Sequence, residues 1–113
     1  MNVRILGGSM TKKEALRHNQ GKPQYSMIDL QCLEQCAYVL EFGAKKYSRG
    51  NWKLGMPTSK ILDSLLRHIA AVQSGQVLDP ESGLPHLGHI QANCLFLGNN
   101  NNEQDVRVIE ELK

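Results

Sequence analysis

At 113 residues and 12.6 kDa the chain has room for one domain, with a core modest enough to gain from association with further copies. Its net charge of +2 leaves no electrostatic case for a nucleic-acid partner, and no apolar run approaches the roughly 18 residues of a membrane span. Met1 to Met10 lacks the apolar heart of a signal peptide, and the odd set of Cys32, Cys36 and Cys94 reads as reduced thiols, so a cytoplasmic protein is expected.

Residues 1–20 are weakly patterned. Thr11 followed by Glu14 forms a candidate capping box for a short helix through Arg17. Gly21-Lys22-Pro23 ends it, and a lysine beside a glycine sits where backbone can approach a ligand closely. Lys22 is therefore a candidate phosphate ligand.

Met27 to Tyr47 reads as the first long helix, with Leu33, Ala37, Leu40, Ala44 and Tyr47 as its apolar stripe. Glu34, Tyr38, Glu41 and Lys45 form the polar row beside it. Glu34 and Glu41 lie two turns apart, about 10 Å along the axis, so at most one reaches a shared ion. Glu34 is the candidate. Cys32 and Cys36 share a face, but no second cysteine pair exists to complete a tetrahedral zinc site.

Ser48 to Pro57 reads as a loop that carries the sole tryptophan, Trp52, between Asn51 and Lys53. With Lys45, Lys46 and Arg49 upstream, Trp52 suits stacking on a base while cations meet phosphates. A lid folded back on the core is the equal alternative.

Thr58 to Ser74 reads as the second long helix, capped by Thr58 or Ser59 and closed by Gly75. Ile61, Leu62, Leu65, Leu66, Ile69, Ala70 and Gln73 mark its buried face. His68 falls at the edge of that face, and Arg67 points nearly opposite, toward solvent or a partner copy. Pro85 to Gly98 reads as the third helix, with Pro85 suited to its first turn. His86, His89 and Asn93 fall on one stripe of an otherwise apolar helix, and buried polar groups need partners. Asn99 to Asn102 read as a loop, and Glu103 to Lys113 as a short strand or a last helical turn.

The polar residues concentrate between Arg67 and Asn93. Three of the four histidines, with Asp79 and Glu81, flank an Asp-Pro-Glu-Ser-Gly turn between two helices. Such a loop converges polar groups on one point, which is how metal and phosphate sites are built. A helical hairpin with solvated polar residues is the bland alternative.

With these residues in view, the chain resembles the phage dATP/dGTP diphosphohydrolase family, within the MazG-like all-α NTP pyrophosphohydrolase superfamily. The resemblance covers roughly 19–97 of the single 1–113 domain. It rests on Asn19-Gln20-Gly21-Lys22-Pro23, Phe42-Gly43-Ala44-Lys45-Lys46-Tyr47, Asn51-Trp52, Arg67-His68, Gly75, Asp79 to His89, and Asn93. It implies an oligomeric all-α bundle, a homodimer or homotetramer. It further implies Mg2+- or Mn2+-dependent cleavage of a (deoxy)nucleoside triphosphate, dGTP or dATP, to a monophosphate and pyrophosphate. Asp79, Glu81, His86 and His89 are then the catalytic candidates, and Glu34, Asp79 and Glu81 the metal ligands. Lys22, Lys45, Lys46, Asn51, Trp52, Arg67, His68 and Asn93 are the nucleotide-binding candidates.

One departure matters for chemistry. Members of that superfamily carry Glu-x-x-Glu on one helix and Glu-x-x-Asp on the next, whereas here His86-x-x-His89 stands in the second place. Histidines move preference from magnesium toward manganese or another transition ion, or bind phosphate directly. A non-catalytic nucleotide-binding protein and a His-Asp type phosphohydrolase remain the alternatives, although no histidine here is followed by Asp.

Overall fold

The computed structural model describes residues 13–100. Among them are three α-helices, α1 (Glu34–Lys46), α2 (Thr58–Gln73) and α3 (His86–Asn99). Short 3-10 turns at Tyr25–Met27, Leu30–Leu33 and Asn51–Leu54 fill the connections. No strand occurs among the described residues, only an isolated bridge between Leu78 and Pro85. The fold is all-α, as expected.

Helix α3 packs on both α1 and α2. Against α1 the approach is close because Gly88 has no side chain: a Cβ there would stand 2.6 Å from the Gln35 carbonyl oxygen. The core is small. Cys36 and Val39 of α1 and Ala92 of α3 are buried together, with Leu40, Leu84 and Phe96 packed around them. Ile61 of α2 is 2% exposed, and such burial contributes about 1.5–3 kcal/mol.

Several expectations are corrected. The first helix begins at Glu34 rather than Met27, because Asp29 accepts a hydrogen bond from the Gln31 N–H (3.0 Å) and opens a 3-10 turn. Its inward face runs through Cys36, Val39 and Leu40. Tyr47 is 67% exposed and Ala37 is exposed, because α3 lies against the small side of α1. On α2, Ile61 is buried while Leu66 and Ile69 of the expected buried face are exposed. Thr58 is the first residue of α2, and the cap position falls to Pro57, whose carbonyl accepts from Lys60 and Ile61. Pro85 likewise precedes α3 at its cap position. Thr11 and the 103–113 segment lie outside the described residues, while residues 13–17 carry no helix.

Two connections position the site. Gly75 takes a left-handed φ of +95° after α2, which lets Gln76 N–H reach the Ala71 carbonyl and Gly75 N–H reach that of Val72, both at 2.9 Å. Beyond it the chain folds back on itself: Asp79 N–H donates to Leu84 O (2.8 Å), and His86 N–H to Val77 O (2.9 Å). The Trp52 turn is pinned from the far end of α3. Asn99 donates to the Trp52 and Lys53 carbonyls at 3.2 and 3.3 Å, while the buried Asn100 amide bonds both the N–H and the carbonyl of Met56. The first two asparagines of the run are thus structural anchors, not loop.

Candidate active site

The three helices and two of their connections converge on a cleft of about 630 Å³. The end of α1 supplies Lys46, the turn after it Asn51 and Trp52, and α2 supplies Arg67 and His68. The pinned loop and the start of α3 supply Gln76, Asp79, Glu81, His86 and His89. Such a volume suits a small organic ligand.

The deep wall is a histidine cluster. His86, 3% exposed, has its Nε2 at 2.7 Å from Gln76 Oε1 and its Nδ1 at 2.8 Å from His68 Nδ1. Since an amide oxygen only accepts, His86 Nε2 carries the proton. Its Nδ1 lone pair then accepts from His68 Nδ1–H. His68 also stacks on His89, with ring centroids 4.4 Å apart and planes 8° from parallel. His89 Nε2 lies 2.7 Å from Ser82 Oγ and 3.7 Å from Asp79 Oδ2. Behind it, Asn93 is buried and donates to Ser64 Oγ (3.3 Å) and to the His89 carbonyl (2.9 Å).

Burial, more than any other cause, pushes the His68 imidazole below its ordinary 6.5. His89, His86 and Arg67 add to this and Asp79 opposes it. Burial likewise lowers His89, against the pull of Asp79 and Glu81. Both are therefore kept neutral near pH 7. Burial alone would raise Asp79, but hydrogen bonds from the Ser82 backbone and hydroxyl, with His89 and His68 nearby, hold its carboxyl below the ordinary range. Ligand atoms of His68, Asp79 and His86 all fall within 4.8 Å of one another, a spacing that could hold a cation.

The mouth carries Lys46, Arg67 and Glu81. Lys46 Nζ meets Glu81 Oε2 at 2.5 Å and stands over the rings of Phe42 and Tyr47. Arg67, expected to point away, lines the cleft although exposed. Trp52 is half-buried, tilted 38° on Phe96 with centroids 5.7 Å apart, and still faces the cleft, so it is at once a core lid and a lining residue.

Four expected residues do not line the cleft. Lys22 and Lys45 are exposed elsewhere, and Asn93 is the buried support just described. Glu34 is exposed in the first turn of α1, twelve residues before Lys46 or about 18 Å along the axis. Gln76, Ser82 and Ser64 were missed. A neutral amide or hydroxyl carries no sequence signal of its own, although Gly75 as helix terminator marks the next residue as held in place.

Residues 12–107 match the family described as dATP/dGTP diphosphohydrolase, N-terminal. The chain belongs to this family. That match includes every lining residue of the cleft, from Val39 to Phe96. A curated relative, the dATP/dGTP diphosphohydrolase of Salmonella phage PMBT28, is 35% identical over 82 residues, 73% of this chain. The chain spans 28% of that relative's length. No solved structure matches this member of the diphosphohydrolase family.

Proposed function

We propose that the chain hydrolyses a purine deoxynucleoside triphosphate, dGTP or dATP, to the monophosphate and pyrophosphate. The observation that carries the reading is one cleft, in which a partly buried cluster of nitrogens and a carboxylate faces Lys46, Arg67 and Trp52. Its family and the name of its phage relative support the same substrates.

Each wall has its task. Trp52 stacks on the base, Asn51 reads a base edge through its amide, and Lys46 and Arg67 neutralise the triphosphate. His89, held neutral and contacted by Ser82, takes the proton of the attacking water. Asp79 with His68 and His86 would hold the divalent cation, Mg2+ or Mn2+, and these donors are close enough to share one ion. When bound, that ion supplies charge neutralisation and an acidified water. Glu81 acts through Lys46, whose charge it balances until phosphate competes for it. Glu34 has no part in this reading.

The remaining elements of the proposal are a MazG-like bundle, assembly as a homodimer or homotetramer, and action in the cytoplasm, a host's if a phage encodes it. No helix among the described residues is long and apolar enough to cross a membrane. The test is release of pyrophosphate from dGTP and dATP, with either metal, across a nucleotide panel. Binding without turnover would leave a non-catalytic nucleotide-binding protein, and release of a different phosphate fragment would favour a His-Asp type phosphohydrolase.

A further inference from the structure

We infer that the cleft holds a transition-metal ion on His68, Asp79 and His86, with Gln76 as the residue that orients His86 toward it. This rests on the proposed reaction only for its location, and it concerns which cation the chain takes.

The donor set decides the class of ion. Carboxylates and water suit magnesium, whereas imidazole nitrogens favour manganese, cobalt or zinc. Here two of the three converging donors are imidazoles, and their ligand atoms lie within 4.8 Å of the third donor, an Asp79 oxygen. Orientation is the second observation. Metal-bound histidines nearly always donate their other ring N–H to a fixed acceptor. His86, 3% exposed, meets this with Nε2 at 2.7 Å from Gln76 Oε1, which leaves Nδ1 aimed at His68 Nδ1. Gln76 is itself held by its backbone N–H on the Ala71 carbonyl, at the end of α2. An ion between the imidazoles would take the place of the proton they share.

The test is binding, read without turnover: titration of the chain with Co2+, followed by its visible absorption, with Mg2+ in excess as competitor. The expected result is a one-ion spectrum with nitrogen ligation that Mg2+ does not displace. His68→Asn should abolish it, and Gln76→Ala should weaken affinity about 10- to 100-fold at unchanged helical CD. Glu34→Gln should bind as the parent does. Absence of a Co2+ spectrum, full displacement by Mg2+, or unchanged binding in both His68→Asn and Gln76→Ala would overturn the inference. Pyrophosphate release with Mg2+ by a chain that takes no Co2+ would sink this proposal and leave the reaction standing. Tight Co2+ binding without hydrolysis would do the reverse.

Discussion

Lys46 and Glu81 meet at 2.5 Å although 35 positions separate them, and the pair joins the end of α1 to the loop before α3 across the cleft. Both side chains are largely solvent-exposed, so the pair adds little rigidity. Its consequence is electrostatic: while Glu81 holds Lys46, any anion entering the cleft must compete for the ammonium.

Two variants separate the roles of the two acids. Asp79→Asn should lower turnover by orders of magnitude at unchanged helical CD, because it removes the one carboxylate in the His68–Asp79–His86 cluster. Glu81→Gln should lower KM with a smaller change in kcat, since it frees Lys46. Steady-state kinetics on dGTP checks both, and equal losses of kcat would place Glu81 beside Asp79.

Stability should depend on one glycine. Gly88→Ala drives a Cβ to 2.6 Å from backbone at Gln35, which cannot swing aside as a side chain would. Overpacking of this kind costs about 1–3 kcal/mol. Gly98→Ala, in the same helix with nothing within 4 Å, should instead stabilise by about 0.5–1 kcal/mol. Thermal melts of the two variants should move in opposite directions.

How far all this was legible depends on the kind of signal each residue emits. α2 and α3 were readable from apolar spacing with Gly75 and Pro85 at their boundaries. The inward face of α1 was not, because a wheel weighs Leu33 and Tyr47 above Cys36, whereas Gly88 brings α3 to the small side. The cluster from Arg67 to His89 was legible because it is nearly continuous in the chain. Glu34 lies away from the cleft, because a carboxylate's place on a helix does not reveal which way that helix points. Lys46 was legible as a cation but not as the partner of Glu81, and the anchoring of the Trp52 turn by Asn99 and Asn100 was invisible in a run of four like residues.

Acid should lower the stability of the chain over two pH ranges. His68 and His89 bind protons less readily folded than at their ordinary 6.5, so below about pH 6.5 the unfolded chain takes up protons that the folded one refuses. Stability is thus complete above that pH and falls as pH drops through the folded values. Asp79, held below its ordinary 3.8, adds a second loss as pH falls past 3.8. Melting temperature followed from about pH 8 to about pH 3 should show both, and His68→Asn should reduce the first while leaving the His89 share.

Self-association should follow from α2. Leu66, Ile69 and Val72 are 59%, 41% and 48% exposed and recur along one side of the helix. An uncovered apolar row of this kind would suit contact with a second copy. Light scattering should give at least twice the 12.6 kDa chain mass, and Leu66→Asp should return the protein toward that mass. A parent chain that is monomeric at micromolar concentration would remove the homo-oligomer from the proposal.

Trp52 offers the most direct check on the nucleotide, because it is the only indole in the chain and it lines the cleft. Its ring leans on Phe96 with one side of the contact taken by the core, and Lys53 Nζ stands 5.7 Å from its centroid. A base entering between Trp52 and the cleft would change the indole's surroundings, so dGTP with metal should shift or quench its emission. A stacked base contributes about 1–3 kcal/mol, which makes the expected loss in Trp52→Ala roughly 5- to 150-fold in affinity. Because the ring also packs on Phe96, that variant should melt lower as well, and Trp52→Phe serves to separate the effects. Phe keeps the contact with Phe96 and most of a stacking face, so it should restore stability and recover part of the affinity. If emission is unmoved by saturating dGTP and both variants bind as the parent does, Trp52 is a lid on the core alone and the base lies elsewhere in the cleft.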